Sequence, residues 1–395
     1  MQNSLLVPEV QEYIRQHEHA DEKALVLSHK TILNVPAASI AEQIRGRRKA
    51  KDKIPSYYSK TGILYPPGLN LEQSSSEETA LFKSRLIPAE TQTGADLTGG
   101  FGIDSLFLSR KATKWYYVEP NTELLPIARH NHIQLGATNI EYVNATASEF
   151  LQNHAQNLDF VYIDPSRRSA TQQKTYRLSE TEPDIVTLQN AVFSKTNTLL
   201  IKASPWLDIR QGLTELKEVK EVFVVSVANE CKEILFLCRK GHFEEPRITT
   251  INLTAAGVQE FTFNYSQEKD QQIPYAEPGK YIYEPNASIL KAGAFKTAAA
   301  QNNLSKISGN THLYTGNFVS EFPGRIFEVT AYVKNDPKIV RLHIPAGKAN
   351  VLTRNYPLTP EELKKKLKLN DGGDDYLIAF SGEKEKYLAV AKRLK

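Results

Sequence analysis

The stretch Asp96-Leu97-Thr98-Gly99-Gly100-Phe101-Gly102-Ile103-Asp104 lies between an apolar run, which predicts a β-strand, and a helical pattern. Glycine at positions 100 and 102 allows the backbone to approach a ligand closely, and the start of the following helix is electropositive. Tight strand–helix turns often contain glycine, so the loop alone also fits a plain structural turn. The residues around it decide between the two interpretations.

Short apolar runs alternate with helical patterns on both sides of this loop. The alternation predicts an α/β fold with a parallel sheet covered by helices. The last two runs are too close in sequence for a crossover helix and predict an antiparallel hairpin. In chain order the runs are 95–98, 115–118, 140–143, 160–163, 198–201, 222–227 and 234–238.

Polar residues follow three of these runs at the carboxyl ends of the predicted strands, where doubly wound sheets bind ligands. Glu119 ends the second run, Asn144-Ala145 follows the third, and Asp164-Pro165-Ser166-Arg167 follows the fourth. An acidic residue at the position of Glu119 can accept hydrogen bonds from both ribose hydroxyls of an adenosine. The alternative is a solvated carboxylate at a strand end.

With this loop, Glu119 and the final hairpin, the segment 91–240 resembles the class I S-adenosylmethionine-dependent methyltransferases. The resemblance implies a Rossmann-like sheet of seven strands and S-adenosylmethionine as the cofactor. It assigns the methionine part to Asp96 and the loop, the ribose to Glu119 and the adenine region to Asn144. Tyr65 and the segment 73–76 resemble the element that closes over the cofactor in RNA methyltransferases. The residues implied for the cofactor are Asp96, Thr98, Gly99, Gly100, Phe101, Gly102, Glu119, Pro120, Asn144, Ala145, Tyr65, Gln73, Ser74 and Ser75.

The C-terminal third also carries a resemblance, on Glu284-Pro285-Asn286-Ala287-Ser288 and on residues 363–380. These stretches resemble a group in which the methyltransferase core is followed by a ferredoxin-like segment and a THUMP-like domain. Because THUMP-type domains accompany tRNA-modifying enzymes, the resemblance implies an RNA substrate, tRNA or rRNA. The predicted domains are an N-terminal helical region (1–90), the core (91–241), the ferredoxin-like segment (242–328) and a THUMP-like α+β domain (329–395).

Several local patterns predict individual elements outside the core. Residues 247–264 read as a β-hairpin, and residues 286–302 are rich in alanine and predict helix. Thr359 and Pro360 open a lysine-rich helix, 376–380 predicts a strand, and a last helix is predicted to begin near Glu383.

The atom that receives the methyl group is less clearly indicated. Asp164-Pro165-Ser166-Arg167 occupies the position of the Asp/Asn-Pro-Pro-aromatic motif of amino-nitrogen methyltransferases, but Ser166 and Arg167 depart from it. Arginine can stack on a base or pair with phosphate. A 5-methyluridine mechanism requires a cysteine nucleophile after the fifth strand. That position reads Lys202-Ala203-Ser204-Pro205, so we reject this mechanism.

Methylation of a ribose 2′-hydroxyl remains open beside methylation of a base nitrogen. It uses a Lys-Asp-Lys-Glu set, in which a lysine deprotonates or orients the hydroxyl. Lys83, Asp164, Lys202 and Glu233 match the order of that set. Alternatively, Lys83 is a solvated helix lysine and Glu233 pairs with Lys202. The candidate catalytic residues are Asp164, Pro165, Ser166, Arg167, Lys202, Lys83 and Glu233.

A basic segment precedes the core, with Tyr57-Tyr58 nearby. Basic charge beside aromatic rings suits an RNA backbone with an unstacked base, although a solvated helix end has the same composition. The candidate RNA-binding residues are Arg45, Arg47, Arg48, Lys49, Lys51 and Lys53.

Composition sets the outer limits of the function. The net charge of +4 over 395 residues argues against a polycationic tail, and the core, at net −1, is less basic than its flanks. Two cysteines without metal-type spacing predict no metal site and a reducing, cytoplasmic location. No apolar run is long enough for a membrane span, and the oligomeric state is open.

Two alternative functions remain. The protein could be a methyltransferase for a small molecule or protein, or a non-catalytic RNA-binding module.

Overall fold

Five parallel strands carry the glycine-rich loop and the polar strand ends. The structure, a computed structural model, describes residues 2–66, 68–167, 177–317 and 321–395. The chain divides into two units, one of residues 1–220 with 235–244 and one of residues 221–234 with 245–395.

The first unit contains the N-terminal helices and the parallel strands. Its helices are α1 (Gln2–Leu5), α2 (Pro8–Gln16), α3 (Glu22–Ser28), α4 (Ala37–Lys53), α5 (Pro55–Ser59), α6 (Gly68–Gln73), α7 (Glu77–Ser84), α8 (Ile103–Ser109), α9 (Leu124–Gln134), α10 (Ala147–Asn153), α11 (Ile185–Phe193) and α12 (Ile209–Glu215). Its strands are β1 (Thr31–Ile32), β2 (Val35–Pro36), β3 (Thr93–Asp96), β4 (Lys114–Val118), β5 (Ile140–Val143), β6 (Phe160–Ile163), β7 (Ser166–Arg167), β8 (Thr181–Glu182) and β9 (Thr198–Ala203).

The remaining elements follow along the chain. The strands are β10 (Val219–Val227), β11 (Glu230–Arg239), β12 (Arg247–Thr254), β13 (Gly257–Phe263), β14 (Tyr281–Pro285), β15 (Ser305–Lys306), β16 (Tyr314–Gly316), β17 (Gly324–Tyr332), β18 (Asn350–Arg354), β19 (Asp375–Ser381) and β20 (Lys386–Arg393). The helices are α13 (Tyr265–Asp270), α14 (Ala287–Ala292), α15 (Phe295–Gln301), α16 (Pro337–His343) and α17 (Pro360–Leu367).

The large sheet has the strand order β13-β12-β10-β11-β9-β6-β3-β4-β5. Each adjacent pair among β5, β4, β3, β6 and β9 is parallel, which confirms the predicted crossover pattern. Between β10 and β11, Ala228 and Asn229 have φ values of 48° and 67°, as the tight turn of a hairpin requires. The α/β fold class with a methyltransferase-like sheet is thereby confirmed.

The hairpin of β12 and β13 extends this sheet beyond the seven predicted strands. β12 lies parallel to β10, from Glu221 opposite Arg247 to Val227 opposite Leu253, and β13 returns antiparallel to β12. The added strands satisfy backbone N–H and C=O groups that an edge strand would expose. The local pattern at 247–264 predicted the hairpin, but the pairing of β12 with β10 depends on residues far apart in the chain and could not be predicted from it.

Helices α4–α7 pack against the glycine-rich loop and α8. Buried side chains of this region, among them Tyr57, Tyr65 and Leu71, form one cluster with Phe101 of the loop and with α8. The Ser76 hydroxyl caps α7, since it accepts a hydrogen bond from the Thr79 backbone N–H. No helix within the described ranges has the length and apolarity to cross a bilayer.

A second sheet in the other unit has the order β15-β16-β14-β17-β20-β19-β18. The lysine-rich helix α17 is confirmed, since Thr359 and Glu362 form its capping box. The helix predicted near Glu383 is wrong, because this stretch forms β20, antiparallel to both β17 and β19. Leu388 and Val390 are buried on one face of β20 and Ala389 and Ala391 on the other, and that tertiary burial outweighs the helical propensity of its lysines and alanines.

Candidate functional site

The glycine-rich loop has a backbone that side chains would obstruct. Gly100 and Gly102 have φ values of 55° and 86°, in the left-handed region that favours glycine. A Cβ on Gly99 would lie 2.4 Å from the ring of Tyr117, and one on Gly102 would lie 2.5 Å from Nε2 of His132. The rings of Tyr117 and His132 therefore pack against the loop, whereas a Cβ on Gly100 would meet only the Thr98 carbonyl, 3.8 Å away.

His132 on α9 fixes the end of the loop, a role that the sequence did not indicate. Its Nε2 donates to the Gly102 carbonyl over 2.8 Å, and Nδ1 lies 3.1 Å from the Tyr142 hydroxyl. Burial lowers the pKa of His132 to about 4, so the ring is neutral at pH 7. A neutral ring donates through Nε2 and accepts the Tyr142 hydroxyl at Nδ1.

Asp96 ends β3 and is buried beneath the loop. Its carboxylate accepts hydrogen bonds from the Ser105 hydroxyl over 2.6 Å and the Thr98 backbone N–H over 3.0 Å. Burial, together with the negative charges of Asp104 and Asp164, raises the pKa of Asp96 to about 7. A cationic ligand near this carboxylate would favour its ionised form.

The raised pKa of Asp96 predicts a pH-dependent stability. Between about pH 4 and 7 the folded protein retains a proton that the unfolded chain has released, so the free energy of unfolding falls as pH rises, then levels off above 7. From pH 5 to 7 the loss is about 2 kcal/mol, since one pKa unit corresponds to about 1.4 kcal/mol. Urea denaturation at both pH values should show this loss in the wild type and a smaller loss in Asp96→Asn. Equal losses in the two proteins would contradict the assignment.

Glu119 joins the ends of β3 and β4. Its buried carboxylate accepts from the Gly100 backbone N–H over 2.7 Å and from the Asn121 backbone N–H over 2.8 Å. The structure thus places Glu119 against the loop, as a shared ligand site requires. Each carboxylate oxygen has a second lone pair for a further donor.

Asn144 and its neighbours lie at the adjacent strand end. The Asn144 amide donates to the carbonyls of Glu119 and Pro120, over 2.9 and 3.0 Å, and so ties the end of β5 to that of β4. Pro120 is exposed and Ala145 is half-buried. These residues lie together beside Glu119, and their contact with an adenine ring stays a prediction.

A buried polar group that we call the Asp104 cluster consists of Ser75, Lys83, Asp104 and Tyr162. Asp104 Oδ2 accepts from the Ser75 hydroxyl over 2.7 Å and from the Tyr162 hydroxyl over 2.8 Å. Lys83 Nζ lies 3.2 Å from Asp104 Oδ1 and donates to the Ser75 hydroxyl over 3.0 Å. The Lys83 side chain is 0% exposed, so the interpretation as a solvated helix lysine is wrong.

The charge of Asp104 is compensated from two sides. Burial by itself raises the pKa of Asp104, but the positive charges of Lys83 and Lys202 outweigh it and hold the pKa below its ordinary value. Asp104 stands at the end of the glycine-rich stretch, and neither its role nor that of Tyr162 was predicted from the sequence. The sequence did contain one indication of a role for Asp104: it is an acidic residue in the first turn of the helix that follows the glycine-rich loop.

Lys202 and Asp164 form an ion pair at the ends of neighbouring strands. Lys202 Nζ donates to Asp164 Oδ2, and the Asp164 backbone N–H donates to the Thr98 hydroxyl over 2.6 Å. The side chains of Lys202 and Asp164 are 12% and 32% exposed, so the pair is accessible from the strand ends. It lies next to the loop, as the sequence predicted.

The other candidate catalytic residues are placed as follows. Pro165 is half-buried, and Ser166 is exposed and pairs in the short β7–β8 ladder with Glu182. Arg167 belongs to β7, and Arg168 lies outside the described residues. Glu233 is buried on β11 in the other unit, so its membership of a Lys-Asp-Lys-Glu set stays a prediction. Burial raises the pKa of Cys231 to about 11, which makes this thiol a poor nucleophile.

The residues assigned to a closing element differ in exposure. Tyr65 is buried, and its backbone exchanges two hydrogen bonds with the Gln43 side chain. Ser74 donates to the Leu71 carbonyl, and Gln73 is exposed. Ser75 donates a hydrogen bond to Asp104 of the core, and Tyr65 packs in the same buried cluster as Phe101.

The basic segment lies on α4, and much of its charge is paired within the N-terminal region. Arg45 and Arg48 contact Glu22, Arg47 contacts Glu18, and Lys49 contacts Glu72. The Arg47 guanidinium also lies 4.2 Å from the centre of the Tyr58 ring. Lys53 donates to the carbonyls of Leu71 and Glu72, and Lys51 is exposed. The segment therefore offers an RNA less charge than its composition indicates.

The described residues contain no group of three or more histidine, cysteine, aspartate or glutamate side chains arranged to hold a metal ion. The polar groups at the strand ends are instead carboxylates, lysines and hydroxyls. Such groups can bind an organic cation and position a polar acceptor.

The sheet and its glycine-rich loop define a methyltransferase-like fold. A known protein with a related sequence and structure has the same fold. Residues 281–323 match a ferredoxin-like domain and residues 324–393 match a THUMP domain-like family. A protein from Porphyromonas gingivalis W83 described as a "putative methyltransferase" is 30% identical, over 100% of this chain and 99% of its own, with a TM-score of 0.87. The chain belongs to the same family as that protein.

Other solved structures resemble the chain more remotely. M. capricolum TrmK, in complex with S-adenosyl-homocysteine, is 16% identical over 41% of this chain and 68% of its own, with a TM-score of 0.33. An rRNA methylase from Streptococcus thermophilus is 12% identical over 41% of this chain and 95% of its own, with a TM-score of 0.30. None of the curated proteins matches the chain.

Proposed function

We propose that the protein is an S-adenosylmethionine-dependent methyltransferase that acts on RNA. One observation carries the proposal: the loop at the carboxyl end of β3 has an open glycine backbone, and Glu119 is hydrogen-bonded to Gly100 within it. This is the edge of a parallel sheet at which nucleotides bind. The methyltransferase-like fold and the family relationship support it.

The residues at the site suit this cofactor. S-adenosylmethionine supplies a methyl group on a positively charged sulfonium and also carries an ammonium group. Asp104 is paired with Lys83, and Asp164 with Lys202, whereas no basic side chain in the described part of the chain is among the groups that most shift the pKa of Asp96. A cationic ligand beside Asp96 would therefore stabilise its carboxylate. We assign Asp96 and residues 98–102 to the methionine part, Glu119 to the ribose, and Asn144 to the adenine region.

The RNA substrate is supported by the THUMP-like domain and by the basic segment on α4. We assign Lys202 and Asp164 to the acceptor, which is either a base nitrogen or a ribose 2′-hydroxyl. An ion pair at this position can donate to and accept from the same acceptor group. We also propose the domain division at residues 90, 241 and 328, in which the two C-terminal domains hold the RNA.

Calorimetry with S-adenosylmethionine tests the cofactor site. Glu119→Ala should weaken binding by about 10- to 150-fold, since a hydrogen bond to a charged group contributes about 1.5–3 kcal/mol. Glu141→Ala is the matched control, because Glu141 is an exposed glutamate on β5 that pairs with Lys114. Binding equal to the wild type in Glu119→Ala, or no binding by the wild type, would overturn the assignment.

Mass spectrometry of nucleosides tests the substrate. RNA from cells that lack the protein should have lost one methylated nucleoside, and the wild-type chain should restore it whereas Glu119→Ala should not. An unchanged set of nucleosides, with intact binding of S-adenosylmethionine, would favour a small-molecule or protein acceptor instead.

A further inference from the structure

Trp206 is a large aromatic side chain that the structure leaves 70% exposed. The other tryptophan of the chain, Trp115, is fully buried. An indole gains hydrophobic stabilisation only from the surface that leaves water, so the exposed part of this ring adds none. Trp206 lies on the turn that follows β9, close in sequence to Lys202.

A well-anchored turn holds Trp206 in this position. The Trp206 backbone N–H lies 3.3 Å from the Ser204 hydroxyl and donates to it, and the Leu207 N–H donates to the Ser204 carbonyl over 3.0 Å. Leu207 and Ile209 on the far side are buried, and Asp208 caps α12. The indole is therefore presented on an ordered turn.

This turn follows the carboxyl end of β9, on which Lys202 pairs with Asp164 of the neighbouring strand β6. The motif at 164–167 carries Ser166 and Arg167 where amino-nitrogen methyltransferases have a proline and an aromatic residue. An aromatic face four residues after Lys202 lies at the same edge of the sheet. The edge thus combines an exposed ring with a pair of polar groups.

We infer that Trp206 is a stacking surface for the nucleobase of the RNA at the acceptor site. The inference rests on the proposed function and extends it by naming the side chain that holds the base. A base stacked on the indole would leave its polar edge or its ribose for Lys202 and Asp164. A nucleobase fits better than an aliphatic substrate, because stacking needs only a flat π-face, and each base has one.

Fluorescence of the two tryptophans tests this directly. With excitation at 295 nm, a mixed-sequence single-stranded RNA of 12 nucleotides should quench the exposed Trp206 and leave the buried Trp115 unaffected. Saturating S-adenosylhomocysteine should be present throughout, so that bases cannot occupy the adenine site. Trp206→Ala should abolish the quenching and bind a fluorescein-labelled copy of the RNA about 5- to 150-fold more weakly, the range of base–aromatic stacking. Trp206→Phe should remain within about threefold of the wild type.

Phe243 provides the matched control. It is 86% exposed and follows β11, where the Lys240 N–H donates to the Asn197 carbonyl beside the start of β9, at the opposite edge of the parallel strands. Phe243→Ala should leave RNA binding unchanged. Unquenched fluorescence with full binding by Trp206→Ala would overturn the inference and assign the exposed ring to another partner, such as a protein. Failure of S-adenosylhomocysteine to bind in calorimetry would instead overturn the proposed function.

Discussion

Replacement of Lys202 by alanine is expected to slow methyl transfer to RNA by about 100-fold or more while S-adenosylmethionine still binds. Lys202 pairs with Asp164 at the accessible ends of β9 and β6, and neither side chain is among those assigned to the cofactor. A positioned acid or base contributes about 10²–10⁴-fold to a proton transfer. Single-turnover transfer of a radiolabelled methyl group, with calorimetry on the same preparation, measures the two effects separately.

Lys202→Arg is the matched variant, since it retains the positive charge but cannot readily give up a proton. Loss of transfer in both variants indicates a base or a strict geometric requirement, whereas retention in Lys202→Arg indicates that charge is sufficient. Full turnover in Lys202→Ala would remove the Lys-Asp-Lys-Glu set from consideration. Lys83, which is buried against Asp104, is better placed to organise this edge of the sheet than to touch an acceptor.

Asp104→Ala is expected to lower the free energy of unfolding by about 3–5 kcal/mol, as is typical when one member of a buried ion pair is removed. Lys83 would remain fully buried without its carboxylate, and the hydroxyls of Ser75 and Tyr162 would lose their acceptor. Urea denaturation followed by circular dichroism measures the change.

Two controls separate this effect from a general loss of charge. Asp371→Ala removes an exposed partner of Lys364 and should cost less than about 1 kcal/mol. The double variant Lys83→Met/Asp104→Leu removes both buried charges and should recover most of the lost stability. A single Asp104→Ala variant within 1 kcal/mol of the wild type would show that Lys83 does not depend on Asp104.

The core of the fold was predictable because its determinants are local. The alternation of apolar runs with helical patterns predicted the parallel strands, and the short spacing after residue 227 predicted the final hairpin. Glycine at 100 and 102 predicted a loop that allows close approach of the backbone, and both residues have positive φ values. The resemblance to methyltransferases rested on these same features.

The composition of the site was predictable only in part. Asp96, Glu119, Asp164 and Lys202 lie at strand ends, and the topology of a parallel sheet brings strand ends together. Asp104 and His132 lie within helices, where a polar residue on a buried face looks the same in sequence as one on a solvated face. Lys83 illustrates this ambiguity, since its sequence context fits a surface lysine and its side chain is fully buried.

The sequence by itself thus determined the order of the elements, the glycine-rich loop and the polar ends of the strands, because backbone preference and apolar periodicity are properties of neighbouring residues. The tertiary structure alone decided which charges meet. It paired Lys83 with Asp104, neutralised much of the basic segment with Glu18, Glu22 and Glu72, and made β20 a strand. Electrostatic pairing and strand addition depend on distances between residues far apart in the chain, and those distances exist only after folding.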